Sequence, residues 1–196
     1  FMRNKPIPSI LSITLLLAVL ISPLAISESS EGTTPESMTR IMMFPPDAEV
    51  TGMHIDANGN FFVNAMHPDD NNYKATIGVI NGIDWNDLPS SVPELASSSS
   101  ESDIWHGIRT SYGDYQVLLQ SGDAFSEGGV AGGIYAADDG NQIFISEKPD
   151  YNGFVPLNAN GSRGYLYTAW EERPAGISQL EIEWNTTSAE WDVLGG

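Results

Sequence analysis

Beyond residue 40, apolar residues fall in short runs separated by Asn, Asp, Gly and Pro. That spacing belongs to strands and turns. Phe61-Phe62-Val63, Tyr115-Gln116-Val117-Leu118-Leu119, Gln142-Ile143-Phe144-Ile145 and Tyr165-Leu166-Tyr167-Thr168 are the clearest strand segments. Gln179-Leu180-Glu181-Ile182-Glu183-Trp184 alternates polar with apolar, as a strand with one solvated face must. No stretch keeps a helical period; only Trp85 to Leu88 and the neighbourhood of Ser102 to Gly107 have room for a turn of helix. The expected fold class is all-β.

The beginning of the chain has a different pattern. Residues 10–26 are nearly all apolar, Arg3 and Lys5 precede them, and Ala25-Ile26-Ser27 offers a small-x-small exit. This is the layout of a secretory signal peptide over residues 1–27. An uncleaved anchor is the competing reading, but 17 residues with Pro23 near the exit is at the short limit for a bilayer span. The expectation is a secreted or periplasmic protein with no stable membrane span after cleavage. Phe1 ahead of Met2 suggests a translated reading frame that starts at Met2, and raises the expectation that the carboxyl end is cut short as well. Residues 28–40 are polar and rich in breakers and read as a flexible leader. Residues 89–103, with serines at 97–100, read as a surface loop.

Three segments share one layout. Asp56-Ala57-Asn58-Gly59-Asn60 leads into Phe61-Phe62-Val63 and ends at His67-Pro68. Asp138-Asp139-Gly140-Asn141 leads into Ile143-Phe144-Ile145 and ends at Lys148-Pro149. Asn158-Ala159-Asn160-Gly161 leads into Tyr165-Leu166-Tyr167 and ends at Arg173-Pro174. Each is a polar turn with a glycine, an apolar strand, then a charged residue and a proline. Gly59 and Gly140 are 81 residues apart, close to twice the length of a propeller blade. The expectation for residues 41–196 is a β-propeller-like domain, or a related all-β repeat, in preference to an ordinary sandwich. It would be part of a propeller unless its blades are small, because four blades of ordinary length need more chain than this.

Charge narrows the functions. The chain has 8 basic and 26 acidic residues, a formal net charge of −18. Nucleic acid is therefore not an expected partner, and anionic membrane surfaces are disfavoured. Divalent cations suit this field. The chain contains no cysteine, which excludes disulfides and thiolate chemistry within it.

A hairpin centred near Asn58 puts Glu49 roughly opposite His67, at the end away from the turn. Glu147 stands near the same end of the second repeat, and Glu171 and Glu172 near that of the third. If the repeats are blades, these positions share one face. Glu49, His67, Glu147 and Glu171 are thus the candidate metal ligands, and carboxylate oxygens on an acidic protein favour calcium. The bland alternative is a solvated row of charges. Asp56 to Asn60 resembles a calcium loop only superficially: its glycine comes too early and no Glu follows at the twelfth position. Asp69-Asp70-Asn71-Asn72 reads as a polar loop tip. His54, His67 and His106 lack zinc spacing, and neither a Gly-x-Ser-x-Gly elbow nor a Gly-x-x-x-x-Gly-Lys loop is present. The glycine-rich stretch at residues 128–133 reads as a flexible loop leading into a strand. Trp170 and Trp184 are expected in the core. Asn160-Gly161-Ser162 and Asn185-Thr186-Thr187 match glycan acceptors.

The run from Ser146-Glu147-Lys148-Pro149-Asp150-Tyr151-Asn152-Gly153-Phe154-Val155-Pro156-Leu157 through Gly161-Ser162-Arg163-Gly164-Tyr165-Leu166-Tyr167-Thr168-Ala169-Trp170-Glu171-Glu172-Arg173-Pro174 resembles PhoX-type alkaline phosphatases and their uncharacterised relatives. Tyr112 to Gln120 is similar too, as are Glu49-Val50-Thr51-Gly52 and Gly59 to Pro68. The resemblance covers roughly residues 47–196. It implies a β-propeller, export, and calcium-dependent hydrolysis of phosphomonoesters, with a phosphate ester or other small molecule as substrate. It also implies that Glu171 helps bind calcium, although Ala169 stands where the family has Asn. In characterised members calcium works with iron held by a cysteine, a ligand this chain lacks. The expected function is an exported PhoX-like phosphatase or an N-terminal fragment of one. The alternative is a non-catalytic calcium-binding module, and a calcium propeller hydrolase such as a lactonase is a weaker third.

Overall fold

Polar turns and apolar runs build two antiparallel meanders. The computed structural model describes residues 39–68, 74–89, 91–94 and 98–196. The signal peptide, nearly all of the leader, the 69–72 loop tip and Ser97 lie outside the described residues. Among the described residues no helix is long and apolar enough to cross a membrane.

The first meander is formed by β2 (Glu49–Ile55), β3 (Phe61–Met66), β4 (Thr76–Ile80) and β6 (Tyr115–Gln120), in that order. The second is β9 (Pro149–Pro156), β10 (Arg163–Trp170), β11 (Gly176–Asn185) and β12 (Glu190–Gly195). Two short pairs complete the strands: β1 (Met42–Met43) with β5 (Arg109–Thr110), and β7 (Gly133–Tyr135) with β8 (Gln142–Ile145). The one helix among the described residues, α1 (Glu101–His106), lies where room for a turn is expected, and Ser100 and Asp103 cap it reciprocally.

The repeat is a repeat of hairpins. Its three turns join β2 to β3, β7 to β8 and β9 to β10. The aspartates of the first two serve the same purpose. Asp56 Oδ1 accepts from the backbone N–H groups of Asn58 (2.8 Å) and Asn60 (2.9 Å). Asp139 accepts from the Asn141 backbone and side-chain N–H groups, which hold its carboxyl below the usual range. Gly59 takes φ +81°, which a side chain would strain. The units nevertheless belong to three different sheets, and the described strands close into neither a barrel nor a propeller.

The first sheet is covered on both faces, so every residue of β3 and β4 is buried. One face carries Phe61, Val63 and Ile80, packed with Phe44, Trp85 and Tyr115. The other carries Phe62, Ile77 and Val79 against Leu166, Trp170, Leu180, Ile182 and Trp191 of the second sheet. Phe62 stacks on Phe154 at 5.4 Å between centroids. The second sheet follows the predicted alternation, and its outer face leaves Tyr151 at 60 %, Val155 at 50 % and Ile177 at 74 % exposed.

A buried polar chain crosses between the sheets where β2 and β3 meet β9. Asn64 donates to the Pro149 carbonyl (3.1 Å) and accepts from the Asn152 amide (2.7 Å). Asn152 accepts in turn from the Thr168 hydroxyl (2.8 Å), and Thr51 donates to the Pro149 carbonyl. Gly52, at φ +64°, makes room for this chain, because a Cβ there would collide with the Asn64 amide. Replacing Asn152 with Leu strands the Asn64 carbonyl and the Thr168 hydroxyl. We expect a loss of about 2–4 kcal/mol in urea denaturation, from two unmet buried groups. An unchanged midpoint would show that the chain contributes nothing. Phe62→Ala, which only empties core volume, should cost about 3–5 kcal/mol.

Candidate functional site

The strand ends opposite the polar turns frame an open pocket of about 470 Å³. Glu49 begins β2 and His67 follows β3. Lys148 lies on the segment joining β8 to β9, and Glu171, Glu172 and Arg173 follow β10. These six side chains, with Met66, line the pocket.

Residues 146–149 are the strap that assembles it. The Glu147 carbonyl accepts from the His67 N–H (3.0 Å), and the Lys148 carbonyl accepts from the Glu171 N–H (2.8 Å). The Ser146 N–H is tied to the Gly132 carbonyl (2.7 Å). One short segment therefore fixes the backbone after β3 and the backbone after β10. His67 takes φ +32°, uncommon for a side-chain-bearing residue, and so turns out of the strand direction at the pocket.

Three of the four candidate ligands meet here. His67 Nε2 lies 3.5 Å from Glu49 Oε2. The register pairs Glu49 with Met66, one residue short of the expected partner, because a bulge between Thr51 and His54 shifts the pairing. Glu171 lines the pocket with a carboxylate that has no partner among the described residues. Glu147 does not join them. Its carboxylate accepts from the Ala75 N–H (2.6 Å) and the Ser121 hydroxyl, so it binds the strap to the first sheet.

Sequence reasoning missed Lys148 and Arg173. Lys148 Nζ lies 3.6 Å from Glu172 Oε1. The Arg173 guanidinium is exposed and has no partner among the described residues. The signal was present in the repeat: His67, Lys148 and Arg173 are the three basic residues that precede its prolines, and all three line this pocket. Trp184 also departs from expectation, since it is only partly buried and Trp170 alone of the two is core.

The donors suit calcium in kind, being carboxylate oxygens with one imidazole. As placed, no group of three His, Asp or Glu among the described residues is close enough to hold an ion. Glu49 is turned to His67 and Glu172 to Lys148, solvent-accessible pairs whose attraction is weak enough to exchange for a cation. Compared with family models, curated proteins and solved structures, the chain matches none.

The two glutamates on either side of the strap should separate by experiment. Glu147→Ala loses two hydrogen bonds to a charged acceptor and should cost about 2–3 kcal/mol in chemical denaturation. Glu171→Gln should stay within about 0.5 kcal/mol of the parent. Equal losses would show that Glu171 is structural as well.

Proposed function

We propose that the chain is an exported PhoX-like phosphatase domain, or part of one, acting on phosphomonoesters in the pocket between Glu49 and Arg173. The reading rests on one observation: basic side chains ending three separate hairpin units meet three carboxylates in a single pocket. A phosphoryl group needs positive charge to be held by a protein of net charge −18. Lys148 and Arg173 supply it, Arg173 with a planar fork that matches phosphate oxygens. His67, lining the same pocket, is the group that passes a proton to the departing oxygen. Glu171, with Glu49 and Glu172, offers the oxygens for calcium. Bound calcium would neutralise charge developing on the phosphoryl oxygens. Iron would have to do without the family's cysteine ligand.

The two four-stranded meanders are, in this proposal, propeller blades stacked face to face. The exposed outer row of Tyr151, Val155 and Ile177 supports it, because a further blade would cover that row as the second sheet covers the first. The missing cysteine and Ala169 favour a second reading, a non-catalytic exported calcium-binding propeller module.

The test is hydrolysis of a chromogenic phosphomonoester by the purified full chain with calcium, with calcium plus iron, and with chelator. We expect turnover that chelator abolishes, a loss of about a hundredfold for Glu171→Gln, and a raised KM for Lys148→Met. Calcium binding without turnover would sink the phosphatase and leave the binding module.

A further inference from the structure

The other end of the sheets holds a cavity of a different chemistry. About 550 Å³ in volume, it lies among the β2–β3 turn, Asn81, the β9–β10 turn and the β11–β12 hairpin. That is within the range of small-molecule sites, about 300–1,000 Å³. No charged side chain lines it, although the protein is strongly acidic. Its lining combines two indoles, Trp184 and Trp191, with the amides of Asn58, Asn60, Asn81 and Asn160.

The indoles are set edge to face, 5.7 Å apart at 71°, with Trp191 buried and Trp184 only half so. Trp191 is fixed by donating Nε1–H to Asn81 Oδ1 (3.0 Å). The amides are held in the same way. Both polar atoms of the Asn60 side chain are engaged, Nδ2 donating to Asp56 (2.7 Å) and Oδ1 accepting from the Gly82 N–H (3.0 Å). Asn58 Nδ2 donates to the Asn160 carbonyl (2.9 Å), and Asn160 Oδ1 accepts from Ser162 (3.0 Å from the hydroxyl, 3.2 Å from the backbone N–H). Three amide atoms remain without a partner among the described residues: the donors Asn81 Nδ2 and Asn160 Nδ2, and the acceptor Asn58 Oδ1.

We propose that this cavity binds a neutral saccharide. Fixed amide donors and an acceptor match vicinal hydroxyls, which both give and accept hydrogen bonds. A half-buried indole face matches the C–H face of a pyranose ring, since its π cloud and apolar area are presented without a polar group to desolvate. A charged ligand would find no counter-charge. The side chains are ordered by one another before any ligand arrives, so little conformational freedom is lost on binding. The site is independent of the phosphoryl pocket: the strands that separate them run from the Asn58 and Asn160 turns at one end to His67 and Glu171 at the other.

The test uses the full chain made in a host without N-glycosylation, because Asn160 begins an acceptor sequence. Cellotetraose, mannotetraose and chitotetraose are titrated by calorimetry and tryptophan fluorescence, with adenosine as a flat aromatic control. At least one oligosaccharide should bind and perturb the fluorescence. Trp184→Ala should weaken it by about tenfold or more, whereas Arg173→Ala should leave it unchanged. Should Trp184→Ala fail to fold, oxidation of Trp184 in the parent by N-bromosuccinimide, followed by peptide mapping, gives the same answer: the bound sugar should slow it. The proposal is overturned if none of the three binds at millimolar concentration, if adenosine alone binds, or if a sugar binds but its affinity is unchanged in a folded Trp184→Ala variant or, failing that, it leaves the rate of Trp184 oxidation unchanged.

Discussion

The structure depends most on one buried polar contact, the amide of Asn152 donated to Asn64 across the two sheets. Both side chains are fully buried, so each must find partners inside the protein or cost the fold its desolvation. The apolar core around Phe62 and Trp170 would tolerate several relative placements of two stacked sheets. The amides would not, because Asn64, Asn152, Thr168 and the Pro149 carbonyl satisfy one another only in one register. That register brings Pro149 beneath β3 and so seats residues 146–149 between the ends of the sheets. The pocket lined by His67, Lys148 and Glu171 follows from it.

Local chemistry in the sequence foretold the turns and several strands. Asp56 and Gly59 mark a hairpin centred on Asn58, and Ile55 does pair with Phe61 around that centre. The same reasoning placed Glu49 opposite His67. The bulge after Thr51 moves it by one residue to Met66, and the cause is tertiary: Gly52 yields space to the asparagine pair. A partner 88 residues away leaves no mark on a local pattern. β4 leaves no clear mark either, since Thr76-Ile77-Gly78-Val79-Ile80 is buried on both faces and has no alternation to read.

The candidate site was legible in outline. Repeat position put Glu49, His67 and Glu171 at one end, and they share a pocket. It misplaced Glu147, because the strap crosses the sheet edge and turns that carboxylate toward Ala75 and Ser121. Lys148 and Arg173 hold the position before a proline of the repeat, but only the tertiary arrangement turns that position into the pocket. The amide-lined cavity was not legible at all. Asn58, Asn81 and Asn160 come from three separate connections, and Trp184 reads from its alternation as an ordinary core residue.

The meander topology has a consequence for how the protein reaches its native state. Except for β4 with β6, which α1 and β5 separate, each strand of a meander pairs with a close sequence neighbour, and such pairings close short loops at small entropic cost. The strap and the asparagine link instead join residues tens of positions apart, and contacts of that kind slow folding. The pocket takes Glu49 and His67 from one hairpin, but it is completed only by contacts of the second class. Sheets that have formed but not docked would therefore keep most of their strand signal in circular dichroism while lacking the pocket. Ligand binding there would report docking of the sheets, an event that secondary-structure spectroscopy alone would miss.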